Sequence, residues 1–282
     1  MRTIAHLSDL HFGAAIPEIV AALADCIVGL DPHVVAVSGD LTQRARRGQF
    51  RRARAFLDAL PGVCVVVPGN HDVPLYNLLA RFGNPLGGFR RHITAQRYPQ
   101  FRDSEVAVVG ANTTRSFTIK DGGLRPDDVE RVSALLDEAA SDAVRIVVCH
   151  HPFDAPAGRG GRWTAPAPDA DAVNTLIARG ADVFLTGHLH LTYVGHTATR
   201  YQTRGRSAIV VEAGTATSFR GRGEVNSFNL LRVDRDRVRV ERLDWDAGTS
   251  RFTLAAADEF ARSDTGWVPQ PARTGPDSSP AE

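Results

Sequence analysis

The chain has 282 residues and a mass of 30.5 kDa, room for one large domain or two small ones, and is 43% hydrophobic, as a globular protein with a sizeable core requires. Its 33 basic and 32 acidic residues leave a formal charge of +1, which speaks against a strong overall nucleic-acid or membrane-surface footprint while allowing a local basic patch. Lys120 is the only lysine, and an arginine habit spread along the whole chain marks no site by itself.

Short β-branched runs alternate with helical patterns through the first two-thirds of the chain. Residues 3–7 predict a strand and 16–30 an amphipathic helix. Strands at 33–38 and 63–67 enclose a helix at about 48–60. A strand at 106–110 precedes a helix near 126–140, whose early Pro and Asp residues suit a helix start. Strands at 145–149 and 182–186 flank a helix near 169–179. This alternation predicts an α/β protein, with parallel strand pairing and helices packed outside the sheets. From Tyr193 onward the pattern is all strand, at about 193–198, 207–212, 227–233 and 237–245, with Asp234-Arg235-Asp236-Arg237 as a hairpin turn. Residues 1–264 read as one domain, because nothing resembling a linker divides them. The stretch from about Thr265 to 282, rich in Pro and Gly and without periodic apolar positions, is expected to be a disordered tail.

Cys26, Cys64 and Cys149 are odd in number, far apart and set in apolar runs. They read as buried free thiols in a reducing compartment, not as a disulfide framework or a thiolate metal site. The opening residues, Met1 to His6, lead straight into the first motif and leave no room for a signal peptide. No apolar run is long enough to span a membrane, so a cytoplasmic protein is expected.

Five apolar strands each end in a motif bearing His, Asp or Asn, where side chains can project into a shared crevice. The motifs are Ser8-Asp9-Leu10-His11, Gly39-Asp40, Gly69-Asn70-His71-Asp72, His150-His151-Pro152 and Gly187-His188-Leu189-His190. Any one of them is common by chance. His and Asp are costly to bury unpartnered, however, and a metal ion is the commonest way to satisfy several at once. Imidazole and carboxylate donors without thiolate favour divalent or trivalent ions such as Mn, Fe or Zn over a structural zinc. There are enough donors for two ions, and a carboxylate with two oxygens can bridge them.

The order of these motifs, from Asp9 to His190 with none missing, resembles the calcineurin-like metallophosphoesterase superfamily. The resemblance implies a four-layer αββα sandwich, two mixed β-sheets flanked by helices. It implies Asp9, His11 and His190 as ligands of a first metal, Asn70, His150 and His188 as ligands of a second, and Asp40 as the bridge. His71 would be the catalytic acid or transition-state stabiliser, with Asp72 fixing which ring nitrogen carries its proton. The implied reaction is attack on phosphorus by a hydroxide that two metals generate near neutral pH, with charge on the phosphoryl oxygens and departing alkoxide neutralised by the metals and His71.

Other residues divide between bland and functional readings. His151 neighbours a ligand, and a substrate-facing role or one behind the ligands is expected for it. His6, His33 and His196 read as ordinary strand or loop residues, and the segment 87–92, which contains His92, as a solvated loop, with a lid over the site as the alternative. Arg44 is open between a substrate phosphate contact and a surface charge at a helix start. Arg159 and Arg162, with Trp163, lie in a Gly-rich loop whose side chains could clamp a phosphate and stack on a base. The run 214–220 follows a strand and is placed along the same crevice.

Departures from sister branches narrow the resemblance. Purple acid phosphatases carry a metal-binding Tyr where this chain has Gln43. Protein Ser/Thr phosphatases carry Gly-Asp-x-Val-Asp-Arg-Gly against Gly39-Asp40-Leu41-Thr42-Gln43-Arg44-Ala45 here. UDP-2,3-diacylglucosamine hydrolases have Arg where this chain has His71. The motifs look most like bacterial class III 3′,5′-cyclic nucleotide phosphodiesterases, which implies a small phosphodiester such as cAMP as substrate. A nuclease or phospholipid-headgroup esterase on the same core is the second reading, and a non-catalytic scaffold the third. Oligomeric state is left open, a homodimer included.

Overall fold

The computed structural model describes residues 1–119, 121–152, 170–197 and 206–271, without the side chain of residue 170. Its strands form two mixed sheets. The first has seven strands in the order β13-β12-β11-β10-β1-β2-β3, the second six in the order β4-β5-β6-β7-β9-β8. In the first, β1 (Arg2–Leu7), β2 (Val34–Val37) and β3 (Val63–Val66) run parallel, and β10 (Ser227–Val233), β11 (Arg237–Asp246), β12 (Arg251–Ser263) and β13 (Gly266–Gln270) continue antiparallel. In the second, β5 (Val106–Gly110), β6 (Val144–Val148), β7 (Val183–Thr186) and β9 (Ile209–Glu212) are parallel, with β4 (Gln100–Arg102) and β8 (Tyr193–His196) antiparallel at the edges.

Period-two alternation explains the layering. On β1 and β2, Ile4, Val34 and Ala36 point into a core shared with Val108, Ile146, Val148, Leu185 and Val211 of the second sheet. Ala5, Leu7, Val35 and Val37 point the other way, onto α1 (Pro17–Leu30) and α2 (Arg47–Asp58) through Leu23, Ile27, Phe50 and Leu57. Val109, Val147 and Phe184 likewise face α5 (Pro126–Asp137) and α6 (Ala170–Ala178). The result is helix, sheet, sheet, helix, as the motif resemblance implied. Each fully buried Leu, Ile, Val or Phe contributes about 1.5–3 kcal/mol, so the three apolar layers carry most of the stability.

Several expectations are corrected. Residues 87–92 form a short helix, α4 (Gly87–His92), beside α3 (Leu78–Gly83), instead of a solvated loop. Phe89 is buried and His92 stacks on Phe50 at 6.1 Å, so tertiary packing overrides the two glycines. Strand β12 went unforeseen, since its exposed outer face leaves too few apolar positions to show alternation. Regular structure also continues past Thr265. Trp267 of β13 is fully buried and its Nε1 donates to Asp182 Oδ1 at 2.8 Å, an anchor stronger than the surrounding Pro and Gly signals. The hairpin between β10 and β11 forms as expected, with Asp234 N donating to Arg237 O at 2.8 Å. Among the described residues no helix is long and apolar enough to cross a membrane.

Candidate metal centre

Strands β1, β2, β3, β6 and β7 all deliver their motifs at C-terminal ends, where the two sheets meet. The chain must turn sharply to present each side chain. Among the described residues eight non-glycine positions have positive φ, and five of them carry these motifs: Asp9, His11, Asp40, His188 and His190. Left-handed backbone at such residues costs of order 1–3 kcal/mol each and persists only where the surroundings enforce it. The surroundings are Ala216 N on Ser8 O at 3.0 Å, Thr215 Oγ1 on Asp9 O at 2.8 Å and Thr217 Oγ1 on Leu10 O at 2.6 Å. The run 214–220 thus braces the first motif from behind.

Two groups of donor atoms result. In the first, Asp9 Oδ1 lies 3.1 Å from His190 Nε2 and 3.4 Å from His11 Nε2, and the two Nε2 atoms are 3.2 Å apart. In the second, Asn70 Oδ1 lies 3.1 Å from His150 Nε2 and 3.0 Å from His188 Nδ1. Asp40 stands between them, with Oδ2 3.8 Å from His11 Nε2 and Oδ1 3.5 Å from His150 Nε2. All seven residues expected as ligands therefore come together.

The chemistry of these atoms calls for cations. His150 Nδ1 lies 2.8 Å from Ser38 O and His190 Nδ1 3.0 Å from Arg220 O. A carbonyl only accepts, so each Nδ1 carries the proton and each Nε2 turns a lone pair inward. Those lone pairs face oxygen lone pairs of Asn70 and Asp9, and buried Asp9 Oδ1 has no hydrogen bond. Burial pushes the imidazoles down, His150 below its ordinary value, His11 to about 4 and His188 to about 3. Burial, then Asp9 and Asp72, raises Asp40 well above the carboxylate range. At Asp9 burial acts in the same sense but is outweighed by His190, His11 and His150, which hold it well below. Imidazole lone pairs converging on two buried carboxylates fit a metal site.

His71 sits beside this centre, its ring 4.9 Å from that of His11 and edge-on to it. Its Nδ1 donates to Gln43 O at 2.9 Å, which leaves Nε2 to accept from Arg220 Nη1 at 3.0 Å. Arg220 Nη1 also reaches Gln43 Oε1 at 3.2 Å. Arg44 Nη1 donates to Gln43 O at 2.8 Å and lies 3.0 Å from His71 Nδ1, which sets Arg44 beside His71. Burial, then His11, Arg220 and Arg44, push the His71 imidazole down to about 3. Asp72 does not touch the His71 ring, contrary to expectation. Its buried carboxylate accepts from Leu41 N, Thr42 N, Thr42 Oγ1 and Gly69 N at 2.9–3.1 Å, tying the second motif to the third. The short 3₁₀ turn Asn70–Asp72 sends both side chains to the loop after β2, Asp72 to the amides of Leu41 and Thr42 and His71 to the carbonyl of Gln43.

His151 is buried, and its ring nitrogen gathers with donor atoms of His150 and His188 within 4.8 Å. Its Nδ1 lies 2.8 Å from Thr113 Oγ1 and its ring 4.7 Å from that of His188, so it stands behind the second donor group. His6 is an ordinary strand residue as expected, with Nε2 3.0 Å from Ser38 Oγ. Arg159 and Arg162 lie outside the described residues. The run 214–220, placed along this crevice from sequence, follows β9, one more parallel strand ending at the same edge, and within it Arg220 is the residue that reaches His71.

Gly39 shows how little room the sheet junction leaves. Its φ is +102°, and a Cβ there would lie 2.6 Å from His150 Nδ1 and 2.9 Å from Gly69 N. Gly39→Ala is expected to lower the melting temperature by roughly 5 °C or more and to weaken metal retention. An unchanged melting curve would show that the strand ends tolerate separation.

A four-layer sandwich with adjoining His/Asp donor groups at the sheet junction is the architecture of a protein built to hold metal ions. Residues 2–191 match the family model described as calcineurin-like phosphoesterase, and the chain belongs to that family. It is 34% identical over 80 residues to a glycerophosphodiester phosphodiesterase, GpdQ, of Enterobacter lignolyticus, a stretch that is 24% of this chain and 29% of that relative. Among solved structures it resembles the purple acid phosphatase PPD1 of yellow lupin, Lupinus luteus, with a TM-score of 0.68 at 13% identity, covering 92% of this chain and about half, 53%, of that one. It also resembles PhoD, with a TM-score of 0.63 at 12% identity over 97% of this chain and 72% of that one. At such identities the structural likeness is one of fold.

Proposed function

We propose that this chain is a metal-dependent hydrolase of small phosphodiesters. The observation that carries the reading is Asp40, a single carboxylate with one oxygen toward each of two donor groups. Asp9, His11 and His190 would hold one ion, Asn70, His150 and His188 the other, and Asp40 both; Mn, Fe or Zn suits this thiolate-free set. Bound there, such ions supply Lewis acidity and water that ionises near neutral pH.

The chain's own groups do the rest. Gln43 O holds the proton of His71 on Nδ1 and aims Nε2 at the site. An entering phosphodiester anion takes the Arg220 donor for a phosphoryl oxygen, which frees Nε2. The negative charge it brings raises the affinity of His71 for a proton, which Nε2 takes up from solvent water and then delivers to the departing alcohol oxygen. Asp72 serves by locking the Leu41–Thr42 backbone against Gly69, which holds the motifs of Asp40 and Asn70 in register.

The motif resemblance supports a 3′,5′-cyclic nucleotide such as cAMP as the first substrate to try, and the likeness to a glycerophosphodiester phosphodiesterase supports a glycerophosphodiester as the second. Protein stripped by chelation is expected to regain hydrolysis of bis(p-nitrophenyl) phosphate on addition of Mn or Fe. No turnover under any of these metals would sink the reading. A cytoplasmic location belongs to the same proposal and rests on the free cysteines, of which Cys149 is buried with its thiol pushed up beyond the ordinary range by that burial.

A further inference from the structure

A groove of about 720 Å³ opens beside His71, between the start of α2, the segment 74–77 and α4. Arg44 forms its inner end, and Arg46, Arg47, Arg91 and His92 line the rest. Among the described residues none of these arginines pairs with a carboxylate. Elsewhere arginines commonly do, as in Arg2–Asp103, Arg97–Asp128, Arg102–Glu138 and Arg239–Glu259. Asp72, the one acid on the groove wall, spends its carboxylate on four donors of the loops behind it.

The placement of this charge is costly. Six arginines fall between residues 44 and 54 with no acid before Asp58, and the first turn of α2 contains none. Cations at a helix N-terminus oppose its dipole, by about 0.3–1 kcal/mol each. The imidazole of His92 registers the local potential: slight burial, then Arg91, Arg47 and Arg51, push it down. Positive charge without carboxylate partners, set against the α2 dipole at Arg46 and Arg47 and gathered around a cavity, is a local rule broken, which is the mark of a ligand site.

From this the geometry points to a second anion subsite: the groove takes a phosphate or carboxylate carried by the substrate beyond the scissile phosphorus. The inference rests on the phosphodiesterase reading and sharpens it. The preferred substrates are small diesters with a second anionic group, such as a phosphorylated nucleotide or headgroup. The groove's volume falls within the roughly 300–1,000 Å³ typical of small-molecule pockets. A long nucleic acid would need an extended basic track, and the chain's near-neutral charge does not provide one.

The test compares adenosine 3′,5′-bisphosphate with adenosine 5′-monophosphate as inhibitors of bis(p-nitrophenyl) phosphate hydrolysis by the metal-loaded protein at low salt. The bisphosphate is expected to inhibit about tenfold more tightly, and that preference is expected to shrink as ionic strength rises past ~0.1 M. Arg47→Gln with Arg91→Gln should reduce the ratio to near one, whereas Arg235→Ala, remote from the groove, should leave it unchanged. Arg47→Gln removes charge that opposes the α2 dipole and Arg91→Gln removes charge that suits the last turn of α4, so the melting temperature of the double variant should stay near that of the wild type, which separates loss of the subsite from misfolding. Equal inhibition by both nucleotides, or a preference that survives the double variant, overturns the subsite. So does a single-stranded oligonucleotide that binds far more tightly than the bisphosphate. Titration calorimetry with the two nucleotides reads the groove without turnover, so a protein that fails to cleave the aryl diester refutes the hydrolase reading and leaves the subsite testable.

Discussion

Asp40→Asn is expected to make the metal-free protein more stable and the metal-loaded protein inactive. In the metal-free fold this carboxylate is buried beside Asp9 and Asp72, and the three effects together hold it well above its ordinary range. A carboxyl whose folded value lies above its unfolded one contributes stability that is fully present below the unfolded value. That contribution is lost as pH rises toward the folded one. Above the unfolded value the metal-free fold must therefore hold either an unfavourable charge or a bound proton at Asp40, and the amide removes that cost. Metal binding acts in the opposite direction, because ions that bind only the folded state raise its stability with concentration. Wild-type protein should melt at a higher temperature after Mn is added, and Asp40→Asn should lose most of that increase. Loss of a bridging oxygen should weaken metal retention by more than the ~10–100-fold typical of an outer-shell partner. Thermal melts with and without chelator, together with elemental analysis, read both halves. Full metal retention by the variant would remove Asp40 from its place between the ions.

The fold and the donor set were largely legible in the sequence, for reasons that residues make concrete. Apolar runs such as Val34–Val37 are short and β-branched, so they read as buried strands whatever surrounds them. The glycine before Asp40, Asn70 and His188 marks close approach of two sheets, and a His or Asp at such a turn has few structural uses. What stayed hidden depends on contacts distant in sequence. Helix α4 begins with two glycines and forms because Phe89 packs beside Phe50. Trp267 stands among Pro and Gly residues, and only the buried Asp182, 85 positions earlier, shows why the chain stays ordered there. The partner of His71 was hidden for the same reason. Asp72 is adjacent in sequence and chemically suited, yet the turn directs it elsewhere and a backbone carbonyl takes the role. Backbone acceptors leave no trace in a sequence motif.

Arg220 and His71 should separate in their effects even though they touch. His71→Ala is expected to lower kcat by about 10²–10⁴-fold, the usual contribution of a positioned acid, with little change in substrate binding. Its largest loss should fall on substrates with poor leaving groups, since an aryl oxide needs less help from a proton than an alkoxide does. Arg220→Ala removes a guanidinium that would donate to a phosphoryl oxygen, and a loss of ~10²–10³-fold in kcat/KM is the scale of such a donor. Here the loss should reach KM and the inhibition constant for inorganic phosphate, because the contact forms in the ground state as well. Arg220→Lys keeps the charge but not the planar guanidinium, whose Nη1 serves both Gln43 Oε1 and His71 Nε2, and should recover only part of it. Metal content distinguishes these effects from collapse of the centre. The group on Arg220 that holds His190 is its backbone carbonyl, which every substitution preserves, so all three variants should keep their metal. Arg220→Ala with normal phosphate inhibition would show that the guanidinium only braces His71. His71→Ala with equal losses on aryl and alkyl diesters would show that the ring positions Arg220 and passes no proton.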